Sequence, residues 1–524
     1  MRAVQTDGQS IYRGSLPAPR VDAPPVVAAL RHAVAEPGRP AIVDDATGES
    51  FSRAELVRLS AELAAGLRER RVGRGDVVAV VMPNGAWWPV VALAVWRAGA
   101  VLAPLSTLWT AGELVRAFGL VRPRLVVASR PDAQRVRDAL STAGIATDVL
   151  IHDEGEGTPL GRLLAAGADP FAEPRPAPSD LAALLFSSGT GGLPKAVRVT
   201  HGNFSAVSAQ VTPGLGIDRD SVVLAGAPFF HIMGLGVALC APLAAGAEIV
   251  TPPGPETGAS LELIARRRVS VAIVPPPFLS QVAAAPVPER PDSLEVVRTG
   301  GAHVPPELRQ RVAERLGCAV RVGYGMTEAG VIGAPLDRPS EPEAAGWLAA
   351  GTEARLVNPE TGLDAAPGHQ GELWVRGPQV MDGYLEDPKA TAEAITAGGW
   401  LRTGDLIRIR DDGQLVIRDR IKELIKVRGA SVAPAEVELV LRRHRAVGDA
   451  AVVGSPHRDY GEVPVAYVVL QESASPEELI SFSAAHLAPY KLPSTVRIVE
   501  ELPRMPTGKL LRAALRRRER LAAR

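Results

Sequence analysis

The sequence predicts an α/β protein of two domains, a large N-terminal one of mixed and parallel sheets covered by helices and a small α+β one after it. Three observations carry that prediction. The 524 residues are several times the span of one domain. Through the first four hundred residues, apolar runs of strand length alternate with helical patterns, the signature of sheets layered with helices. Near residue 418 the strands become short and charged, and the hundred or so residues that remain suffice for a small domain.

The elements follow in order. Ser52–Arg70 and Trp87–Ala98 carry helical periodicity. Val77–Val81, Leu125–Ala128, Leu181–Phe186 and Val271–Val274 are apolar runs bounded by turn residues and read as buried strands. The most apolar long segment, Ile232–Val250, is broken by Pro242, by glycines and by Glu248. It is expected as a buried helix, because a membrane span needs roughly 20 mostly apolar residues without such breaks. Gly413–Arg420 reads as a turn and a strand, and a new unit is expected to begin at Asp419, giving domains 1–418 and 419–524.

Composition excludes several classes of function. Lys plus Arg and Asp plus Glu both total 58, so the net charge is zero and nothing points to a nucleic-acid or membrane partner. The basic ending, Arg516 to Arg518 with Glu519, Arg520 and Arg524, reads as a solvated helix face. Two cysteines, Cys240 and Cys318, sit among apolar neighbours and cannot form a disulfide framework. The start, Met1 to Pro25, has no apolar stretch and carries Asp7 and Asp22, unlike a secretory signal. A cytoplasmic protein, monomeric or homodimeric, is expected.

The most informative segment is Ser187-Ser188-Gly189-Thr190-Gly191-Gly192-Leu193-Pro194-Lys195, directly after the apolar strand. Glycines let backbone N–H groups converge into an anion-binding nest. Hydroxyls add donors, and Lys195 adds charge for phosphate oxygens. The spacing is not that of a Walker loop. Gly191-Gly192 alone would be a flexible turn; six consecutive polar or glycine residues, with Thr200-His201-Gly202-Asn203 beyond, are more than that.

This segment resembles the phosphate-loop signature of the adenylate-forming enzymes, the superfamily of acyl- and aryl-CoA ligases, luciferases and peptide-synthetase adenylation domains. The likeness covers nearly the whole chain and is nearest to hydroxycinnamate-type CoA ligases. It implies the adenylate-forming fold with a mobile C-terminal domain, and it implies ATP, Mg2+ and CoA.

Further segments extend the resemblance. Gly323-Tyr324-Gly325-Met326-Thr327-Glu328 is similar to the adenine-site motif. By that likeness Tyr324 stacks on adenine, Thr327 bonds the α-phosphate and Glu328 holds the metal, a carboxylate being the natural ligand of a hard cation. Gly301 and Ala302, in the Gly300-Gly301-Ala302 segment, would border the nucleotide. Trp400-Leu401-Arg402-Thr403-Gly404-Asp405 is similar to the next motif, whose aspartate accepts from both ribose hydroxyls. Asp419-Arg420-Ile421-Lys422-Glu423-Leu424-Ile425-Lys426 resembles the hinge: Arg420 and Lys426 would serve the nucleotide, and Lys422 is the pivot. Pro503-Arg504-Met505-Pro506-Thr507-Gly508-Lys509 resembles the loop of the catalytic lysine, Lys509. Taken singly, these residues would read as turns, an exposed edge and surface charge.

Four departures stand out. The phosphate loop has Gly191 for a threonine and Ala196 for a glycine. Ala430-Ser431 replaces an aromatic–glutamine pair on the thioester-forming surface. Val322 replaces a glutamine, and His303 a proline. They keep open two other acceptors: nitrite chemistry, in which an ATP-dependent diazotase passes activated nitrite to an aromatic amine, and a carrier-protein thiol.

In the family the acid binds near Pro228-Phe229-Phe230-His231-Ile232-Met233-Gly234. His231 would flank the carboxylate, though a lone histidine in an apolar run is also an ordinary core residue. No acid occurs between Pro228 and Gly246, which disfavours an α-amino acid. Met233, Gly300, Val322, Gly325 and Val331 would complete a small apolar pocket for a flat aromatic or medium aliphatic acid. The expected function is adenylation of a small aromatic acid with pyrophosphate release, then thioester formation with CoA.

Overall fold

The computed structural model describes the chain except residues 1–3, 7–8, 15, 20, 22–23, 153–159, 173–175, 188–194, 255, 285–289, 303, 337–340, 342, 367, 428–429, 458–459, 506–507 and 523–524. Contacts divide it into two compact units, residues 13–353 with 375–401, and residues 1–12 with 354–374 and 402–524.

The larger unit holds two sheets. One has nine strands, and six consecutive ones run parallel: Ala319–Met326, Val296–Gly300, Val271–Ile273, Val222–Ala225, Glu248–Thr251 and Pro40–Asp44. The other has six strands in the order Lys195–Thr200, Leu181–Ser187, Val101–Pro104, Val77–Val81, Leu125–Ser129 and Asp148–His152. All its pairings are parallel except the hairpin at the Lys195–Thr200 edge. Parallel strands are buried on both faces, which is why they read as unbroken apolar runs. The expected strands lie within one residue of the observed ones.

The helices form where local chemistry starts and stops them. Helix Arg53–Glu69 begins at Ser52, whose hydroxyl accepts from the Glu55 N–H at 3.2 Å while Glu55 accepts from the Ser52 N–H at 2.8 Å. This reciprocal box satisfies two orphan donors of the first turn. Helix Trp87–Arg97 is pinned to the second sheet by the Trp96 indole, which donates to the Ala182 carbonyl at 2.9 Å.

Ile232–Val250 is not one helix. It divides into a π-helix Met233–Cys240, a helix Ala241–Ala245 and the strand Glu248–Thr251. Gly246 turns left-handed at φ 75° and ends the helix, and the residues after it pair between two parallel neighbours. Sheet hydrogen bonds, invisible to hydropathy, decide the outcome.

The smaller unit also holds two sheets. Strands Leu401–Ile409 and Leu415–Arg420 close one of them as an antiparallel pair, and the boundary expected at 418/419 falls within that last strand. Five strands form the other, built on the pair Val447–His457 and Gly461–Leu470. Its pleat sorts side chains with period two. Val452, Ala466 and Val468 pack with Val437 and Leu441 of helix Pro434–Arg442, whereas Val453, Val465 and Tyr467 pack with Leu515 of helix Arg512–Ala522. The C-terminal helix is not a wholly solvated face: Glu519 is buried, accepting from the Tyr467 hydroxyl and from Arg497 at 2.7 Å. A buried carboxylate needs such partners. Among the described residues, no helix is long and apolar enough to cross a membrane.

Candidate active site

In the larger unit, the strand Leu181–Ser187 delivers the chain to the phosphate loop and Lys195 resumes it opposite Ser187 in the antiparallel register. Ser188, Gly189, Thr190 and the departure Gly191 lie outside the described residues, as do His303, Arg428, Gly429 and Thr507. Ala196 is buried, and its carbonyl accepts from the Leu385 N–H at 2.8 Å. Residues 382–385 thus bond along the free edge of the hairpin, as the Arg198 N–H to Gly383 carbonyl bond of 2.9 Å also shows.

That edge brings Tyr384 to the site. Its ring lies 4.8 Å from the Lys195 Nζ, and its hydroxyl donates to Glu328 Oε1 at 3.0 Å. Burial first, and the Glu328 charge second, raise the Tyr384 pKa, so the phenol stays a donor at neutral pH. The cation expected to serve phosphate and the carboxylate expected to hold metal therefore share one phenol. Sequence reasoning missed Tyr384. The only local signal was a Gly-Tyr pair, which resembles any turn.

Glu328 sits with Thr327 and Ala329 in the turn between strands Ala319–Met326 and Gly330–Ala334. Its side chain is buried, and its carbonyl accepts from the Met381 N–H at 2.9 Å. Magnesium on a nucleotide is usually held by one or two carboxylates together with phosphate oxygens and water, so one buried glutamate fits the ion. Tyr324, 7% exposed, and Gly325 stand on the preceding strand across a β-bulge. A Cβ on Gly325 would come within 2.0 Å of the Gly330 carbonyl oxygen, so only glycine lets these strands approach. Val331 pairs with Gly325 and is buried.

Of the residues expected around the acid and the nucleotide, Gly300 ends the strand Val296–Gly300 opposite Gly323, and Gly301 follows with φ of 83°; Ala302 comes next in the bend. Val322 packs instead with the apolar cluster of Val297, Val312 and Leu316, on the face covered by helix Pro306–Leu316. His231, half-buried, lies against Phe230 with ring centroids 4.6 Å apart, and Met233 opens the π-helix. Asn84 fixes this segment by donating to the Ala225 and Ala227 carbonyls and accepting from the Phe229 N–H at 2.8 Å. Asn84 is a second residue that the sequence alone did not single out.

The smaller unit gathers the rest. Asp405 is 2% exposed and pairs with Arg420, whose Nε donates to Oδ1 at 2.7 Å. The antiparallel register that sets residue 405 opposite residue 420 makes this contact. Lys422 follows in a 3-10 turn, Ile421–Glu423. Burial, then the charges of Arg420 and Lys509, push its pKa down to about 8. Asp419 bonds the N–H groups of Arg420 and Ala435, and burial raises its pKa to about 6. Lys426 lies exposed on strand Ile425–Val427 and pairs in register with Ser431.

The Lys509 loop is a tight one. The Met505 N–H donates to the Lys509 carbonyl at 2.8 Å, Gly508 takes φ of 82°, and Arg504 donates to the Gly508 carbonyl at 2.7 Å. Arg512, just beyond, pairs with Glu423 at 2.8 Å and also with Glu438. Through Glu423, the loop of the lysine and the turn of Lys422 are tied together.

The AMP-binding enzyme family model matches residues 30–385, and the AMP-binding enzyme C-terminal domain matches residues 436–509. A 4-coumarate–CoA ligase from Oryza sativa subsp. japonica is 34% identical over 535 residues, covering 99% of this chain and 96% of its own. Among solved structures, ATP-bound MatB from Rhodopseudomonas palustris superposes with a TM-score of 0.87 at 30% identity, covering 94% of this chain and 98% of its own. A benzoate CoA ligase from Burkholderia xenovorans LB400 gives 0.85 at 28% identity, over 94% and 99%.

Proposed function

The chain belongs to the AMP-binding enzyme family, and from that premise we propose both the reaction and the residues that perform it. It is an AMP-forming acid–CoA ligase. A carboxylate oxygen attacks the α-phosphorus of ATP, the bond to pyrophosphate breaks, and an acyl adenylate forms. The thiol of CoA then displaces AMP and loses its proton. Two of the named relatives are CoA ligases, so the nitrite and carrier-protein acceptors are not favoured.

The observation that carries the assignment of residues is the Lys195–Tyr384–Glu328 contact. Lys195 neutralises phosphate charge. Glu328 holds magnesium, which when bound supplies further positive charge to the phosphate oxygens. Tyr384 orients both. Tyr324 faces adenine, Thr327 bonds the α-phosphate, and Gly301 and Ala302 border the nucleotide. Asp405 accepts from the ribose, with Arg420 fixing the carboxylate and Lys426 serving the nucleotide. Lys509 bridges the attacking oxygen and the α-phosphate, and His231 flanks the acid.

Such a reaction demands little covalent chemistry of the protein, so positioning and charge stabilisation supply most of the acceleration. Residues 419–524 form the mobile domain and Lys422 its pivot. In support, Leu415–Arg420 closes one sheet, Ile425–Val427 opens the next, and Lys422 stands in the turn between. The acid is a small aromatic one, and the enzyme works in the cytoplasm, where its two free cysteines stay reduced.

The test is pyrophosphate release from ATP and magnesium with a panel of aromatic and aliphatic acids, with and without CoA. Acid-dependent release with a CoA thioester product is expected. Lys509→Ala should lower that release about a hundredfold to a thousandfold while ATP still binds. Unchanged turnover in that variant would remove Lys509 from the chemistry.

A further inference from the structure

Arg298 lies in the strand Val296–Gly300, and the pleat decides which way it points. Val297 packs among Leu224, Ala272, Val312 and Leu316 beneath helix Pro306–Leu316. Arg298 and Gly300 therefore share the opposite face of the sheet. A Cβ built on Gly323, the partner of Gly300 on the next strand, would fall 1.8 Å from Arg298 Nη2 and 1.9 Å from Nη1. One on Gly300 would lie 3.8 Å from Nη1. The guanidinium thus fills the notch left by Gly323 and lies beside Gly300, the glycine expected to border the acid.

This cation is 3% exposed. Among the described residues its one hydrogen bond runs from Nη1 to the Thr299 carbonyl at 2.8 Å, and its Nε has no partner. No described carboxylate forms an ion pair with Arg298. Burial alone, with no opposing charge, lowers its pKa to about 10. A guanidinium has five donors in a fixed fork suited to a carboxylate, and a buried charge without a counter-charge is costly. An anion bound from outside the chain would supply the missing counter-charge.

We propose that Arg298 determines acid specificity, and that the preferred substrate carries, besides the carboxylate that is adenylated, a second carboxylate that pairs with the Arg298 guanidinium. This rests on the acid-activating reading above and on Gly300 bordering the acid. The remaining lining is apolar, so the acid is an aromatic dicarboxylate, its ring between the two carboxyl groups.

Acid-dependent ATP–pyrophosphate exchange isolates adenylation from the CoA step. Matched pairs would be benzoate against benzene-1,3- and benzene-1,4-dicarboxylate, and cinnamate against 4-carboxycinnamate. In the wild type at least one diacid should exceed its monoacid about ten-thousandfold in kcat/KM, the scale on which a buried polar site rejects an analogue lacking its partner. In Arg298→Met that ratio should collapse toward one, and Arg298→Lys should keep an intermediate preference. ATP binding by equilibrium dialysis checks that both variants fold. Monoacids that exchange as fast as every diacid in the wild type would overturn the proposal whether or not a variant folds. So would a diacid preference that survives in Arg298→Met. Exchange with no acid at all would instead overturn acid activation itself, and the proposal with it.

Discussion

Removing one oxygen from Tyr384 tests the site most directly. Tyr384→Phe keeps the ring under the Lys195 ammonium, 4.8 Å from its centroid, but deletes the hydroxyl that donates to Glu328 Oε1 at 3.0 Å. A hydrogen bond to a charged group contributes about 1.5–3 kcal/mol. At about 1.4 kcal/mol per factor of ten, its loss should lower kcat/KM for ATP about 10- to 150-fold if the bond orients Glu328 for catalysis. The loss should appear with a higher magnesium requirement, because the freed carboxylate no longer holds one orientation. Tyr384→Leu should cost about two- to fivefold more, since the cation–π contact with Lys195, about 0.5–1 kcal/mol at a partly exposed site, goes too. The assay is acid-dependent pyrophosphate release across a magnesium titration. If Tyr384→Phe stays within twofold of wild type at every magnesium concentration, the phenol does not position Glu328 and the reasoning fails.

Other outcomes follow from the same geometry. Asp419 keeps its proton in the folded state up to about pH 6, whereas its ordinary value is 3.8. Between those values the native state binds more protons, so this residue lowers stability as pH rises through the window. Asp419→Asn should remove about 2–3 kcal/mol of that decline; urea unfolding that gives both proteins the same fall in unfolding free energy between pH 4.5 and 7 would refute it. Arg420→Met leaves Asp405 buried without its cation and should destabilise the protein by about 2 kcal/mol, a value reduced because Arg420 is partly exposed. Its denaturant midpoint and its affinity for ATP should fall together; a drop in stability with ATP affinity intact would place Asp405 outside the nucleotide site. Ser52→Ala should cost about 1 kcal/mol by opening the capping box, seen as a lower Tm, and a Tm equal to wild type would deny that box a role in stability.

Much of the fold was legible because its cause is local. Strands such as Val77–Val81 and Leu181–Ser187 are buried on both faces, so burial alone writes them as apolar runs, and Ser52 with Glu55 announces a helix in four residues. Ile232–Val250 was not legible. Its hydropathy does not separate helix from strand, and the change from π-helix to strand depends on hydrogen bonds to Val222–Leu224 and Ile42–Asp44, far away in the chain. Glu519 reads as one charge among arginines until Arg497 and Tyr467 close over it.

The same division runs through the site. The sequence by itself determined the residue types and their order: hydroxyls and glycines before Lys195, a carboxylate at Glu328, Asp405 ahead of Arg420, and a lysine after Gly508. Short-range chemistry requires those groups in those loops, so they stand together in the chain. Only the tertiary structure decided which of them touch. Tyr384 reaches Glu328 across 56 residues because residues 382–385 bond to the edge strand of a hairpin. Val322 turns toward the helices and Arg298 away from them because a pleated strand sends alternate side chains to opposite faces. Whether a buried arginine has a counter-charge is likewise a property of every chain segment packed around it, and no segment carries that information alone.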